Sequence, residues 1–299
     1  MSGISPLIIR WLELPDMKDC LDIMDMKVKK LVDAGAKEKL KDWFFTGDIN
    51  FFTNTAETYI IDYLQTKNKV CRNIKKRGID AYAEINGKKI GIEITTLNGF
   101  IADTIFAERL TWKLEYSGYL EDKSLTMICD ACKIAHEYHT IGRYIDKIYQ
   151  MIISKNNNEL YNNGIQLEID SKNIGTIARR WNNKDYPWFD EITTKLKNKL
   201  KNSQKAKQFE KYAKNIVFVG VNNCSPVNCA IPHIFSEMKT GGQFYKHEIQ
   251  NIETFWTNEL KKTQIAGICY YVYSLERETP FYPLKIFWRD NNDAINIIL

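Results

Sequence analysis

An Asn-Gly pair near the centre of residues 77–96 limits the folds open to this chain more than any other feature. The stretch is RGIDAYAEINGKKIGIEITT, and apolar and polar residues alternate on both sides of Asn86 and Gly87. Asn-Gly is the favoured loop of a two-residue β-hairpin turn, because both positions need a positive φ that matches the twist of the flanking strands. The alternation predicts one apolar face that packs on a core. This face comprises Ile79, Ala81, Ala83, Ile85, Ile90, Ile92 and Ile94.

The opposite face of the predicted hairpin carries two carboxylates in an unfavourable position. The turn sets a register in which Glu84 lies opposite Lys89, which is attractive, and Asp80 lies opposite Glu93, which is repulsive. Carboxylates held this close need a shared proton or a cation, and a hard divalent ion such as Mg²⁺ takes oxygen ligands. The alternative is a solvated hairpin that tolerates two surface acids.

Composition places the chain among ordinary folded proteins. It has 299 residues, 44% hydrophobic and 26% charged, which allow one large domain or two smaller ones. No apolar run approaches the roughly 20 residues that span a bilayer, and the N-terminus is not typical of a signal peptide. Seven cysteines in a chain this long favour reduced thiols and a cytoplasmic setting. The net charge of +5 does not by itself indicate a nucleic-acid partner.

Helix and strand periods predict an N-terminal helical segment at residues 1–52 and a main domain at 53–299. A helix begins near Asn54, and Glu57 is either the acid of a capping box or a third acid presented towards the hairpin. A mostly helical insertion is expected at about residues 98–190, with one strand at 165–169. The remaining elements expected are a strand at 69–74, a Lys-rich helix at 191–214, a buried strand at 215–221, a helix at 248–260, and strands at 265–273 and 284–288.

Two clusters in the insertion contain residue types that bind ligands. Cys129, Cys132, His136 and His139 could bind zinc by type, but on one helix they would span about 15 Å, which favours a buried stripe instead. The run Ala-Arg-Arg-Trp at 178–181 is a small basic and aromatic patch or a surface turn.

The Lys-rich segment has two interpretations as well. It is a solvated helix face or a contact for the phosphate backbone of a nucleic acid, because such contacts are electrostatic and carry no sequence code. Its lysines are Lys195, Lys197, Lys199, Lys201, Lys205, Lys207, Lys211 and Lys214.

The order of elements and the motif Gly78-Ile79-Asp80, twelve residues, Glu93-Ile94-Thr95 resemble the PD-(D/E)XK nuclease superfamily. The resemblance covers roughly residues 53–97 and 191–221, and implies a restriction-endonuclease-like fold, with a mixed central sheet flanked by helices. It also implies a Mg²⁺- or Mn²⁺-dependent phosphodiesterase. Asp80, Glu93 and the Ile94 carbonyl would be metal ligands, and Glu57 would act through water or complete a second metal site.

The sequence departs from that superfamily where its lysine is expected. Thr95 holds the position, and it can donate one hydrogen bond but carries no charge. Three explanations are open for this departure. The metal alone suffices for catalysis, Lys195 or Lys199 reaches the site from the basic helix, or the domain binds nucleic acid without cleaving it. We therefore expect a DNA endonuclease, of a restriction or other defence type, with a non-catalytic nucleic-acid-binding module as the alternative. RNA stays open as a substrate, and a homodimer is expected if both strands of a duplex are cut.

Overall fold

The structure is a computed structural model, and the residues described share one α/β architecture. A six-stranded mixed sheet is flanked by helices, and a second sheet has three strands. Within the described residues, no helix combines the length and the apolar character needed to cross a membrane. The residues described are 12, 17–45, 47–67, 70–73, 78–154, 164–170, 175, 177–182, 188–222, 246–273 and 283–289.

The N-terminal region forms three helices: α1 (Lys18–Asp33), α2 (Lys37–Phe44) and α3 (Asp48–Lys67). Helix α1 ends at Ala34-Gly35, where Gly35 has the positive φ that suits the end of a helix. Helix α3 begins six residues before the predicted start, so the predicted domain boundary at residues 52/53 lies inside it. Residues of α1 and α2 pack in the same core as the sheet.

The predicted hairpin is confirmed, with its register from Ala81 to Ile85, but the predicted pair of Asp80 and Glu93 is not part of the ladder, because the first strand of the hairpin begins at Ala81. Strands β1 (Val70–Arg72), β2 (Ala81–Ile85) and β3 (Lys88–Thr96) are antiparallel neighbours. Asn86 has φ 50° and Gly87 φ 72°, as the tight turn requires. Glu84 pairs with Lys89 across the ladder.

Most of the described residues of the insertion are helical, as predicted, but the insertion also contains a three-stranded sheet, of which only the strand at 165–169 was expected. Its helices are α4 (Asn98–Tyr116), α5 (Ala131–His136) and α6 (Ile141–Ser154), with a 3₁₀ turn at Tyr138–Thr140. Its strands are β4 (Ser124–Asp130), β5 (Ile165–Asp170) and β6 (Ile177–Asn182), in the order β5-β4-β6. The run at residues 178–181 is therefore strand rather than turn, and its arginine and tryptophan side chains lie outside what the structure describes.

The Lys-rich segment is three short pieces rather than one long helix. Helix α7 (Trp188–Asp190) continues as a π-helical turn (Glu191–Lys195) into α8 (Leu196–Leu200), and α9 (Ser203–Phe209) follows. Asn202 separates α8 from α9, because its side chain accepts a hydrogen bond from the Gln204 N–H at 3.0 Å and caps the new helix.

The remaining elements complete the large sheet as predicted. They are β7 (Lys214–Asn222), α10 (Lys246–Leu260), β8 (Ile265–Tyr273) and β9 (Pro283–Trp288). The strand order is β1-β2-β3-β7-β8-β9. Strands β3, β7 and β8 are parallel, and β9 is antiparallel to β8.

Two apolar cores cover the two faces of this sheet. One contains α1 to α4 and the apolar hairpin face from Ala81 to Ile94, and the other contains α8, α9 and α10. Ile79 was expected beside Ala81 but packs in the second core instead. Because β2 begins only at Ala81, the strand alternation does not extend back to residue 79.

Candidate active site

The turn before β2 is held in place by one asparagine. The Asn73 backbone N–H donates to the Asp80 carbonyl at 2.9 Å, and Asn73 Nδ2 donates to the Ile79 carbonyl, also at 2.9 Å. A Cβ at Gly78 would lie 2.5 Å from Asn73 Nδ2, so the close approach of the two segments requires glycine there. Asp80 is thereby fixed at the edge of the hairpin.

The Asp80 carboxylate points at the neighbouring strand. Its Oδ2 accepts a hydrogen bond from the Ile94 backbone N–H at 2.7 Å. Burial and then repulsion by Glu57 raise the pKa of Asp80 to about 6, against the opposing attraction of Lys205 and Lys39. Asp80 therefore takes up a proton much more readily than an ordinary aspartate.

Glu93 and Thr95 lie on the face of β3 that α8 and α9 cover. Glu93 is 2% exposed and Thr95 4% exposed, so neither is the surface residue that a solvated hairpin would present. Glu93 Oε1 forms an ion pair with Lys205 of α9. Glu93 Oε2 and Thr95 Oγ1 are buried and have no hydrogen-bond partner among the residues that the structure describes. Two such atoms on one strand face mark a place where a further polar group is required.

Glu57 approaches from α3 and is buried as well. Its Oε1 lies 2.9 Å from Lys39 Nζ of α2 and 3.8 Å from Arg72 Nη1 of β1. The capping-box interpretation is wrong, because Asn54 lies inside α3 and donates to the carbonyls of Asn50 and Asp42. The repulsion between Glu57 and Asp80 places both in one electrostatic site.

Basic groups from three elements surround these acids. Burial would lower the pKa of Lys39, but the attraction of Glu57 and Asp80 outweighs it and leaves the pKa raised. Arg72 also contacts Asp62, with Nη2 to Oδ1 at 3.4 Å. Lys27 Nζ lies 3.1 Å from Asp62 Oδ2, so a buried ionic network links α1 to Glu57 through Arg72.

One lysine of the Lys-rich segment reaches β3 at the residue after Thr95. Lys199 is exposed when the whole residue is considered, but its ammonium group is covered by its surroundings, and its Nζ donates to the Thr96 carbonyl at 3.3 Å. Burial of the ammonium lowers the pKa of Lys199 to about 8, opposed by attraction to Asp80. Lys195 lies on the preceding π-helical turn with its side chain exposed. Sequence reasoning missed Lys205, because a continuous helix was expected and the break at Asn202 redirects α9.

The sequence offered two candidate metal sites, zinc at the Cys/His cluster of the insertion and Mg²⁺ at Asp80 and Glu93. In the described part of the chain, no group of three or more His, Cys, Asp or Glu side chains is arranged to hold one ion. Around Asp80, Lys39 pairs with Glu57 and Lys205 pairs with Glu93, so these two acids belong to separate ion pairs. The proposed Cys/His stripe is also absent, because Cys129 is buried on β4 whereas His136 and His139 are exposed, and the Cys132 side chain lies outside the description.

Comparison with known proteins finds no matching family model, no similar curated protein and no similar solved structure. The site is therefore interpreted from its own chemistry.

Proposed function

We propose that the protein is a metal-dependent nuclease that hydrolyses phosphodiester bonds of DNA, with Asp80, Glu93 and Glu57 at its centre. The observation that carries the proposal is the pairing of a raised pKa at Asp80, partly caused by Glu57, with a buried Glu93 oxygen that has no hydrogen-bond partner in the described part of the chain. Acids forced together and left partly unsatisfied are typical of functional sites rather than of structural cores.

The order of elements supports the same proposal at the level of fold. Helix α3 precedes the antiparallel strands β1, β2 and β3, and β7 then lies parallel beside β3. This arrangement agrees with the restriction-endonuclease-like fold that the resemblance implies.

The donor set suits Mg²⁺ or Mn²⁺. Asp80 and Glu93 offer carboxylate oxygens, the kind of ligand that a hard cation prefers; the Ile94 carbonyl lies next to Glu93 on β3, and Glu57 approaches from α3. When bound, the ion would polarise the scissile phosphate and lower the pKa of a water molecule.

The chain's own side chains would perform the remaining steps. Thr95 Oγ1, buried beside Glu93 on the same strand face, would hydrogen-bond and orient the attacking water. Lys199 and Lys205 would place positive charge next to the phosphate as negative charge develops on it. Lys199, with its pKa lowered to about 8, could also give up a proton more easily than an ordinary lysine.

Exposed lysines give the DNA a place to bind. Lys207 and Lys211 are exposed on or beside α9, within a few residues of Lys205. Side chains of this kind neutralise phosphates without reading bases. Two copies of the chain would be needed to cut both strands of a duplex symmetrically.

A non-catalytic nucleic-acid-binding module is the second candidate. The observation that favours it is that Lys39 and Lys205 already neutralise Glu57 and Glu93. Acids that are permanently paired in this way would serve the fold and leave only the exposed lysines for nucleic acid.

Cleavage assays on plasmid, linear duplex and single-stranded DNA with Mg²⁺ or Mn²⁺ test the proposal. Metal-dependent cleavage that is lost in both Asp80→Ala and Glu93→Ala is the expected result. Glu84→Ala is the matched control, because Glu84 is an exposed acid on the same hairpin. Thermal unfolding of each variant establishes that the fold is intact.

The outcomes separate the two candidates. Retained cleavage in both acid variants would overturn the site assignment. Absence of cleavage on every substrate by the unmodified protein, together with salt-sensitive DNA binding, would establish the binding module instead.

A further inference from the structure

A cavity of about 260 Å³ lies on the far side of the Lys-rich segment from Glu93. Its apolar wall is formed by α8, α9, α10 and the start of β8, and includes Leu200, Phe209, Trp256 and Leu260. All four are buried core residues, so this wall is a fixed surface rather than a mobile one. Small-molecule sites occupy about 300–1,000 Å³, so the cavity suits a ligand at the small end of that range.

The mouth of the cavity is positively charged. Lys197, Lys201 and Lys262 converge on Glu259, with N–O distances of 3.0, 3.2 and 3.4 Å. Their hydrogen bonds lower the pKa of Glu259 to about 2. Glu210 also lines the cavity, so three lysines face two carboxylates and one positive charge is left over. An anion is the ligand that this mouth attracts.

We propose that this cavity binds a nucleoside monophosphate, with the base on the apolar wall and the phosphate among the three lysines. A phosphate monoester carries about −1.5 to −2 charge and three acceptor oxygens, which can be shared among several ammonium groups, whereas a carboxylate offers only two. The base would lie against the exposed Ala206 and the small exposed part of the apolar wall at Phe209. Gln264, which also lines the cavity, offers an amide at its rim.

The inference does not rest on the proposed nuclease activity. Lys197 and Lys201 contact Glu259, whereas Lys199 contacts Thr96 on β3, so one short segment serves two separate sites. The ligand class follows from the cavity, its apolar wall and its lysines, none of which involves Asp80 or Glu93.

Isothermal titration of the full chain with AMP, adenosine and inorganic phosphate tests the proposal. AMP is expected to bind at one site, and adenosine and phosphate each at least about tenfold more weakly, since each keeps only half of the contacts. Ala206→Phe, which fills the cavity from an exposed lining position, is expected to abolish AMP binding. Its thermal unfolding shows whether the fold is retained.

Charge is tested separately with a matched pair of lysines. Lys262→Ala is expected to weaken AMP binding by about tenfold, the loss of one charge-assisted contact. Lys261→Ala changes an exposed lysine that does not line the cavity, and is expected to leave AMP binding unchanged.

A short 5′-phosphorylated oligonucleotide identifies the source of the nucleotide. If Ala206→Phe loses the binding of AMP but keeps the binding of the oligonucleotide, the ligand of the cavity is a free mononucleotide. If the variant loses the binding of AMP and of the oligonucleotide equally, the ligand is the 5′ end of a strand. The proposal is overturned if AMP does not bind at millimolar concentration, if adenosine binds as tightly as AMP, or if a folded Ala206→Phe variant still binds AMP.

Discussion

Two clusters of acids and lysines lie on opposite sides of the segment that contains α8 and α9, and their carboxylates behave in opposite ways. At Asp80, burial and the nearby Glu57 raise the pKa to about 6. At Glu259, hydrogen bonds from three lysines lower the pKa to about 2. The same residue types in one short stretch of chain thus make protonation of the acid easier on one side and harder on the other.

The ratio of acids to bases and the depth of burial explain the difference. Glu259 shares the mouth of the cavity with one other acid, Glu210, and has three cationic partners of its own. Asp80 shares its site with Glu57 and Glu93, and the nearby lysines form ion pairs with those two acids. A cation such as Mg²⁺ would therefore relieve repulsion at the Asp80 site, whereas at Glu259 it would meet lysines.

The largest expected effect concerns cleavage. Glu93→Gln removes a charged oxygen ligand from the proposed metal site and is expected to lower the cleavage rate by at least about 100-fold. Glu259→Gln alters the opposite side of the segment and is expected to lower it by less than about tenfold. Single-turnover cleavage of plasmid DNA measures both, and equal losses would mean that the two clusters do not differ in function.

Removal of Lys205 is expected to destabilise the metal-free protein. Lys205→Met leaves Glu93 buried without its ionic partner, and we expect a loss of about 2 kcal/mol, reduced from the usual cost because Lys205 is partly exposed. Mg²⁺ is expected to restore stability by binding the released carboxylate. Lys207→Met, an exposed lysine on the same helix, is the control. Thermal unfolding with Mg²⁺ and with a chelator measures the difference, and the absence of rescue by Mg²⁺ would argue against a metal at Glu93.

The raised pKa of Asp80 predicts a stability change with pH. Between about pH 4 and pH 6 the folded state holds a proton that the unfolded state has released, so stability falls as the pH rises through this window. Asp80→Asn removes the charge and keeps an oxygen acceptor for the Ile94 N–H. In a chelator it is expected to be more stable than the unmodified protein by about 1–2 kcal/mol near pH 8, and equal to it below about pH 4. Denaturant unfolding at both pH values tests the sign.

The lowered pKa of Glu259 predicts the opposite dependence of stability on pH, and the change in stability expected here is the smallest of the four. Its lowered pKa gives stability that is present above about pH 4.5 and is lost as the pH falls towards 2. Glu259→Gln is expected to cost about 1 kcal/mol at neutral pH, because its lysine partners are largely solvated. The same unfolding series should show this difference vanish in acid, and a difference that persists at pH 2 would exclude an electrostatic origin.

Local patterns determined much of the hairpin region. The Asn86-Gly87 turn, the register through Glu84 and Lys89, and the buried strand β7 all follow from turn chemistry and hydrophobic period. The same register predicts Asp80 opposite Glu93, and the Asp80 carboxylate accepts from the N–H of Ile94, the next residue along β3. The pattern located Ile79 wrongly because the strand begins two residues later than the alternation suggests.

The insertion shows where local patterns fail. Residues 124–130 form β4, whose partners β5 and β6 lie up to about 50 residues away in sequence, so no local signal distinguishes this short apolar run from a helix. The Cys/His stripe expected there disappears with the helix that would have carried it.

The sequence by itself determined the position of Glu93, which the two-residue turn and the period of two fix on β3, whereas Asp80 precedes β2 and is held by Asn73. Only the tertiary structure decided which lysine meets them. The cap at Asn202 divides the Lys-rich segment, and Asn215 on β7 holds the end of α9 through a hydrogen bond to the Phe209 carbonyl at 2.9 Å. Lys205 reaches Glu93 because of contacts more than 100 residues apart in sequence, and such contacts leave no trace in a local pattern.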